Sequence, residues 1–369
     1  MRKIFAFSGD DSDISALLGK GFCGALMSMQ DISDENVRKV KACGLEVWIY
    51  ADAQEVGAEY LCCEAGRVSS YDGMGKVANV ETLERLESEI GDILFDEVVG
   101  FVVPLPYFDA PIWNDELNEM CGFSYEAYEL LFALFDSDTE ISPVRSWYYE
   151  RAESYIISKY VLPLSAWAKE KGKKISFDIG KTESEFDFPL RMISPIRYPE
   201  AGLSLTVRGH CSTEMSALFS TFSEIDGIFA AENIEEDADF SDIGTAELLL
   251  IKPTRGVMER YARETRKMKC RMETPAVVAA AEYAYYCNML YKKGIAFDVA
   301  DEFSIERMGK AEDGVLTFDG RGYRNILLCD SCIFSKNAIE ILKNAQANGV
   351  CINDEALIKF LDSEPEEED

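Results

Sequence analysis

The chain contains a single histidine, His210. A zinc site built on several imidazoles is therefore excluded, and a serine–histidine–acid triad would have to recruit His210 itself. Basic residues are scarce beside acidic ones, 37 against 67, which leaves a net charge of −30. A field of that sign repels phosphate backbones and anionic headgroups, so neither nucleic acid nor a membrane is expected as a partner. No apolar run approaches the roughly 20 residues of a membrane span. Met1-Arg2-Lys3 leads straight into Ile4-Phe5-Ala6-Phe7 and then acidic residues, without the long apolar stretch of a secretory signal. No G-x-G-x-x-G or G-x-x-x-x-G-K-S/T pattern follows any strand-like run, which removes support from nucleotide-binding folds.

Cysteine is not scarce, and its distribution argues for a reducing, cytoplasmic setting. The eleven cysteines are odd in number and sit mostly in apolar strings such as Leu61-Cys62-Cys63 and Leu328-Cys329. That is the pattern of buried, reduced thiols and not of a disulfide framework. Cys329-Asp330-Ser331-Cys332 is the one pair at C-x-x-C spacing, and no second pair follows at zinc-ribbon distance. It reads either as a metal or redox site or as a strand end with two incidental thiols.

With 47% hydrophobic and 11% aromatic residues the chain can bury a large core, so global disorder is excluded. A length of 369 residues suits one large barrel with a small module, or two medium domains. The first 105 residues alternate strand and helix signals. Apolar runs at 3–7, 23–29, 45–50 and 98–103 read as nearly continuous, as strands of a parallel sheet covered on both faces do. Between them, Ser33 caps a helix that Gly44 stops, and Leu83, Leu86 and Ile90 mark one helix face. Further on, a helix over 148–171 closes at Gly172, and strand-like runs follow at 175–179, 203–207 and 227–231. Residues 246–250 suit helix or strand, and 269–272 suit strand. Roughly eight strands by Glu273 predict an α/β fold, a (β/α)8 barrel over 1–293, with an open doubly wound sheet as competitor. An aromatic, acidic stretch near 110–145 interrupts the alternation as a helical insertion. There Trp113, Phe123 and Tyr125 could form a platform for a flat ligand such as a sugar, or simply pack on the rim. A small α/β module is expected over 294–361, followed by an acidic solvated tail at 362–369.

Two segments together carry a family resemblance. The first runs Gly100-Phe101-Val102-Val103-Pro104-Leu105-Pro106-Tyr107, then Trp113, Gly122-Phe123-Ser124-Tyr125, Arg145-Ser146-Trp147-Tyr148 and Trp167-Ala168-Lys169-Glu170-Lys171-Gly172. It resembles the barrel of glycoside hydrolase family 106, the α-L-rhamnosidase-like proteins. There a strand ending in Asp-Glu-Pro precedes a Trp, a Gly-Tyr-Asp helix, an Arg-x-x-Tyr helix and a Trp-x-x-x-x-Gly. The second lies within 294–352, with Phe297-Asp298-Val299-Ala300-Asp301-Glu302 and Gly322-Tyr323-Arg324-Asn325-Ile326-Leu327-Leu328. It looks like the small α/β module that follows the barrel in that family. The resemblance covers about two-thirds of the chain. It implies a (β/α)8 barrel, a small carbohydrate ligand, two carboxylates and, by analogy alone, a homo-oligomer; no cofactor and no metal ligand set is read from the residues.

The departures matter as much. Where the family carries the Glu of Asp-Glu-Pro, this chain has Leu105, with Pro104 in place of the Asp. The family's other glutamate matches Glu273, at the end of Met268-Lys269-Cys270-Arg271-Met272-Glu273. Its outer β-domains are absent. Glycoside hydrolysis normally uses two carboxyl groups across the scissile bond. Glu273 can supply one, and the candidates for the second, all read at strand ends, are Asp178, the preferred substitute, which closes Ser176-Phe177-Asp178, with Asp109, Glu183 and Glu232. Each alone is more simply a solvated loop acid in a chain with 67 acids. Tyr107 and Trp113 could stack on a sugar, while Asp10, Asp52, Arg208 and His210 are polar residues at strand ends that could hold hydroxyls or a carboxylate. Three functions stay open: a glycoside hydrolase with a displaced acid, an inactive barrel kept for carbohydrate binding or assembly, and an unrelated metal-assisted barrel lyase or isomerase.

Overall fold

A computed structural model describes residues 2–7, 14, 21–64, 67–106, 112–122, 143–181, 204–208, 226–231, 248–256, 282–283, 285–287, 289–290, 293–318 and 321–362. The fold is α/β. Seven strands, β1 (Arg2–Phe7), β2 (Gly24–Met27), β3 (Glu46–Tyr50), β6 (Val98–Pro104), β7 (Lys174–Lys181), β8 (Ser204–Arg208) and β9 (Asp226–Ala231), pair in parallel, each with the next. β9 pairs back onto β1, with Ile4 opposite Ala230, so these seven strands close into a barrel. Roughly eight strands were expected here. The run at 246–250, which fitted helix or strand, is a strand of another sheet, and 269–272 lies outside the described residues.

The helices between the strands form where the capping chemistry places them. α1 (Asp34–Ala42) starts at Ser33, whose hydroxyl accepts the Asn36 N–H, and ends where Gly44 takes φ of +75°. α2 (Val80–Ile90) buries Leu83, Leu86 and Ile90 and is capped reciprocally by Asn79 and Thr82. α3 (Asp92–Glu97) leads directly into β6. The long helix before β7 divides: α5 (Pro143–Ile156) passes through a π-helical turn, Ile157–Val161, into α6 (Leu162–Glu170). Pro163 lacks the N–H that an unbroken α-helix would use, and the wider turn just before it absorbs that loss. Among the described residues no helix is long and apolar enough to cross a membrane.

Strand alternation sorts side chains between the outer layer and the barrel interior. Phe5, Ala25, Met27, Val47, Ile49, Phe101, Val103 and Phe177 belong to the large apolar cluster shared with the helices. Their neighbours Ile4, Leu26, Trp48, Val102 and Ala230 form a separate cluster inside the barrel. Trp48 fills most of this floor. Its ring lies against Gly100, where an added Cβ would come within 2.7 Å of the indole and 2.6 Å of the Lys174 carbonyl. The carbonyl is backbone of the adjacent strand and cannot turn aside. Gly100→Ala is therefore expected to cost about 2 kcal/mol through overpacking. A urea midpoint unchanged from wild type would contradict this packing of the floor.

Two features depart from the simple alternation. After β3 the chain forms an antiparallel hairpin of two 11-residue strands, β4 (Gln54–Glu64) and β5 (Arg67–Val77), which the sequence reading did not anticipate. Its Tyr60 and Leu61 pack with Ile112, Trp113, Leu117, Tyr148, Ala152 and Tyr155. The helical insertion read near 110–145 is described only in part: α4 (Asp115–Cys121) and the start of α5 fall within it. The second feature is a four-stranded parallel sheet, ordered β11 (Phe297–Asp301), β10 (Leu248–Lys252), β15 (Asn325–Leu328), β16 (Cys351–Ile352). This sheet reaches back across residue 294, because Leu248–Lys252 is buried throughout its length and pairs on both sides. Helices α7 (Glu302–Met308), α8 (Lys336–Ala347) and α9 (Glu355–Asp362) follow its strands. A small antiparallel sheet, β12 (Lys310–Glu312), β13 (Val315–Phe318) and β14 (Arg321–Tyr323), lies between β11 and β15 in the chain.

Candidate functional site

The strands β7 and β8 differ from the rest of the barrel in what they turn inward. Along β7, Ser176 and Asp178 share the face of Val102 and Pro104, their partners on β6. Along β8, Thr206 lies opposite Asp178 and Ile228. Ser176, Thr206, Ser204 and Asp178 are all buried. Buried polar groups require partners, and these have them. The hydroxyls of Ser204 and Thr206 both donate to Ser176 Oγ, at 3.0 and 2.7 Å. Asp178 Oδ2 accepts the phenol O–H of Tyr50 at 2.9 Å. Tyr50 ends β3, so this bond spans the intervening β6. It ties together two strands that share no ladder.

Asp178 was expected to end its strand. β7 instead continues to Lys181, and the irregularity falls just after Asp178: the ladder with β8 shifts between Asp178 and Lys181, while the ladder with β6 stops at Asp178 itself. Bulges of this kind re-aim side chains beside barrel sites. The Asp178 carbonyl remains tied down, accepting the N–H of Leu105 at 3.0 Å. Barrel enzymes place their chemistry at this C-terminal edge. The arrangement there offers a buried carboxylate held by a phenol, above a ladder of hydroxyls.

The other residues singled out from sequence fall into three groups. Leu105, at the position where the resemblance puts an acid, is buried in the large apolar cluster. Trp113 is buried too, packed against the hairpin, and its backbone N–H donates to the Glu59 carbonyl at 2.8 Å. It is a packing residue in this fold and not an exposed platform. Asp52 is exposed just beyond β3. Arg208 closes β8 opposite Ala230. Glu273, Glu232, Glu183, Tyr107, Asp109, Asp10 and His210 lie outside the described residues. Among the described residues, no three His, Cys, Asp or Glu side chains gather as a metal site. Sequence reasoning missed Tyr50, Ser176, Ser204 and Thr206. The signal for the hydroxyls was present: Ser204-Leu205-Thr206-Val207-Arg208 and Lys174-Ile175-Ser176-Phe177-Asp178 alternate polar and apolar residues, unlike the other barrel strands.

No family model matches the chain, and no curated protein does. Among solved structures, a rhamnosidase from Novosphingobium sp. PP1Y is similar with a TM-score of 0.33 and 9% identity, over 74% of this chain and 33% of that one. The chain thus spans about a third of that enzyme's length.

Proposed function

We propose that this chain is a carbohydrate-active protein on a (β/α)8-type barrel, taking a small glycoside or oligosaccharide at the C-terminal mouth, with Asp178 as a working carboxylate. The observation that carries the reading is Asp178 itself. Few acids among the described residues are buried, and this one sits inside the barrel, fixed by Tyr50 beside the β7 irregularity. Glu273 is the second carboxylate of the proposal, on the strength of its place in the sequence. In that arrangement one group protonates the leaving oxygen and the other attacks the anomeric carbon or activates water. The hydroxyls of Ser176, Ser204 and Thr206 stiffen the wall from which Asp178 projects.

A second reading has its own support. Leu105 is packed into apolar surroundings where the resemblance places an acid, which favours a barrel that binds sugar without cleaving it. A hydrolysis screen over aryl glycosides, α-L-rhamnoside included, separates the two when run beside Glu273→Gln. Release that falls about 10³-fold in the variant is expected for an active glycosidase. No release from any substrate by folded protein, with saturable sugar binding in calorimetry, selects the binding barrel. Neither release nor binding would remove carbohydrate from the proposal.

A further inference from the structure

The C-x-x-C pair belongs to the second sheet, at the C-terminal end of β15. Order in the second sheet is second, first, third, fourth along the chain, so the crevice beside β10 and β15 is a topological switch point, where open α/β sheets place their chemistry. Cys329 and Cys332 are both free thiols there, Cys329 buried and Cys332 half-buried. The Cys332 N–H donates to the Cys329 carbonyl at 3.1 Å, closing a four-residue turn. Such a turn holds its end Cα atoms within about 7 Å, inside the span a disulfide bridges. Cys332 Sγ donates to the Ile251 carbonyl at 3.5 Å. Two carboxylates hold the loop in place. Glu282 accepts the N–H groups of Asp330 and Ser331, at 2.6 and 3.2 Å, and Glu302 accepts that of Ile333 at 3.2 Å.

We propose that Cys329 and Cys332 form a dithiol redox centre that exchanges two electrons with small disulfides of the glutathione class. Cys332, the more accessible, attacks the incoming disulfide as its thiolate and releases one thiolate of the small molecule. Cys329 then attacks the Cys332 sulfur, closing Cys329–Sγ–Sγ–Cys332 and releasing the second. The two thiol protons end on the two released thiolates, so the pair is oxidised as the small disulfide is reduced. Closure breaks the Cys332 bond to Ile251 and leaves the loop pinned by its two carboxylates. Burial, the neighbouring Cys329 thiol and the nearby Glu302 charge all raise the Cys332 thiol above its ordinary range, so exchange at neutral pH is slow. An equilibrium measurement is therefore the proper test.

The folded full chain is equilibrated at a series of oxidised-to-reduced glutathione ratios, quenched in acid, alkylated and digested with trypsin. Cleavage after Arg324 and Lys336 yields one peptide in which these are the only cysteines. The expected result is a peptide lighter by about two mass units and carrying no alkyl group. Its fraction should rise with the ratio, with an equilibrium constant at least tenfold above that of the chain unfolded in urea. Cys332→Ser should abolish the species, and Cys329→Ala should leave only a glutathione adduct. A peptide that stays doubly alkylated at every ratio, one that only accumulates mixed disulfide, or a constant equal to that in urea would overturn the proposal.

Discussion

Asp178→Asn is expected to lower turnover of any glycoside the chain hydrolyses by about 10³-fold, the scale of a lost acid, base or nucleophile. The change is nearly isosteric. The amide oxygen still accepts the Tyr50 O–H that Asp178 Oδ2 accepts now at 2.9 Å, and the backbone bond from Leu105 is untouched. The fold should therefore survive, and near-wild-type thermal unfolding is the control. Tyr50→Phe tests the same site from the other side. It removes one hydrogen bond to a buried carboxylate and is expected to cost about tenfold in turnover, the scale of 1.5 kcal/mol for a bond to a charged group. The order of the two effects is the diagnostic part. A carboxylate that does the chemistry loses more when neutralised than when its holder is removed, whereas a structural carboxylate shows the reverse in stability and no effect on rate. Steady-state kinetics on both variants decides it, and full turnover by Asp178→Asn would end Asp178's role.

How much of this was legible in the sequence depended on how local the cause was. Ser33, Gly44 and Gly172 marked helix ends because capping and left-handed backbone act within a few residues, and the structure puts the ends there. The apolar runs at β1, β2 and β3 read correctly as strands covered on both faces. The hairpin at β4 and β5 was not read. Leu61-Cys62-Cys63 breaks the alternation of its first strand, and the two strands hold each other mainly through their ladder. That omission also left the two readings of Trp113, platform or packing, undecided, since part of the surface burying it is the hairpin's. Leu248–Lys252 could not be assigned to a sheet, because an apolar run does not say which strands lie beside it. Asp178 was singled out as a candidate from the sequence, and its hydrogen-bond partner was not. Tyr50 ended an apolar strand with nothing local to mark it, and its partner lies 128 residues further along the chain.

Glu302 should set both the stability of the second sheet and its pH dependence. It is fully buried at the start of α7, where its carboxylate accepts the N–H groups of Arg255, Gly256 and Ile333 at 2.9, 3.1 and 3.2 Å. One side chain thus joins the segments that follow β10, β11 and β15. Burial pushes its carboxyl up to about 7, reinforced by the Asp301 charge and opposed by the backbone donors. A folded value above the unfolded one, about 4.5, means that the folded state keeps a proton the unfolded chain has lost. Stability from this group is therefore greatest below pH 4.5 and declines as pH rises to 7, by on the order of 3 kcal/mol in all. The other 66 acids titrate as well, so the measurement must be a difference. Glu302→Gln mimics the protonated acid and should gain on wild type by about 2 kcal/mol between pH 5 and 7.5 in urea unfolding, the rest of the loss falling below pH 5. Glu302→Ala leaves three N–H groups, one buried and two partly buried, without an acceptor. Each orphan costs about 1–3 kcal/mol, which outweighs the relief from removing a buried charge. A net loss of about 3 kcal/mol is expected at pH 7.5, and a larger one at pH 5, where the wild type keeps its proton. If the Gln and wild-type curves run parallel across that interval, the carboxyl titrates near its ordinary value in the folded state. Its three backbone donors would then outweigh its burial.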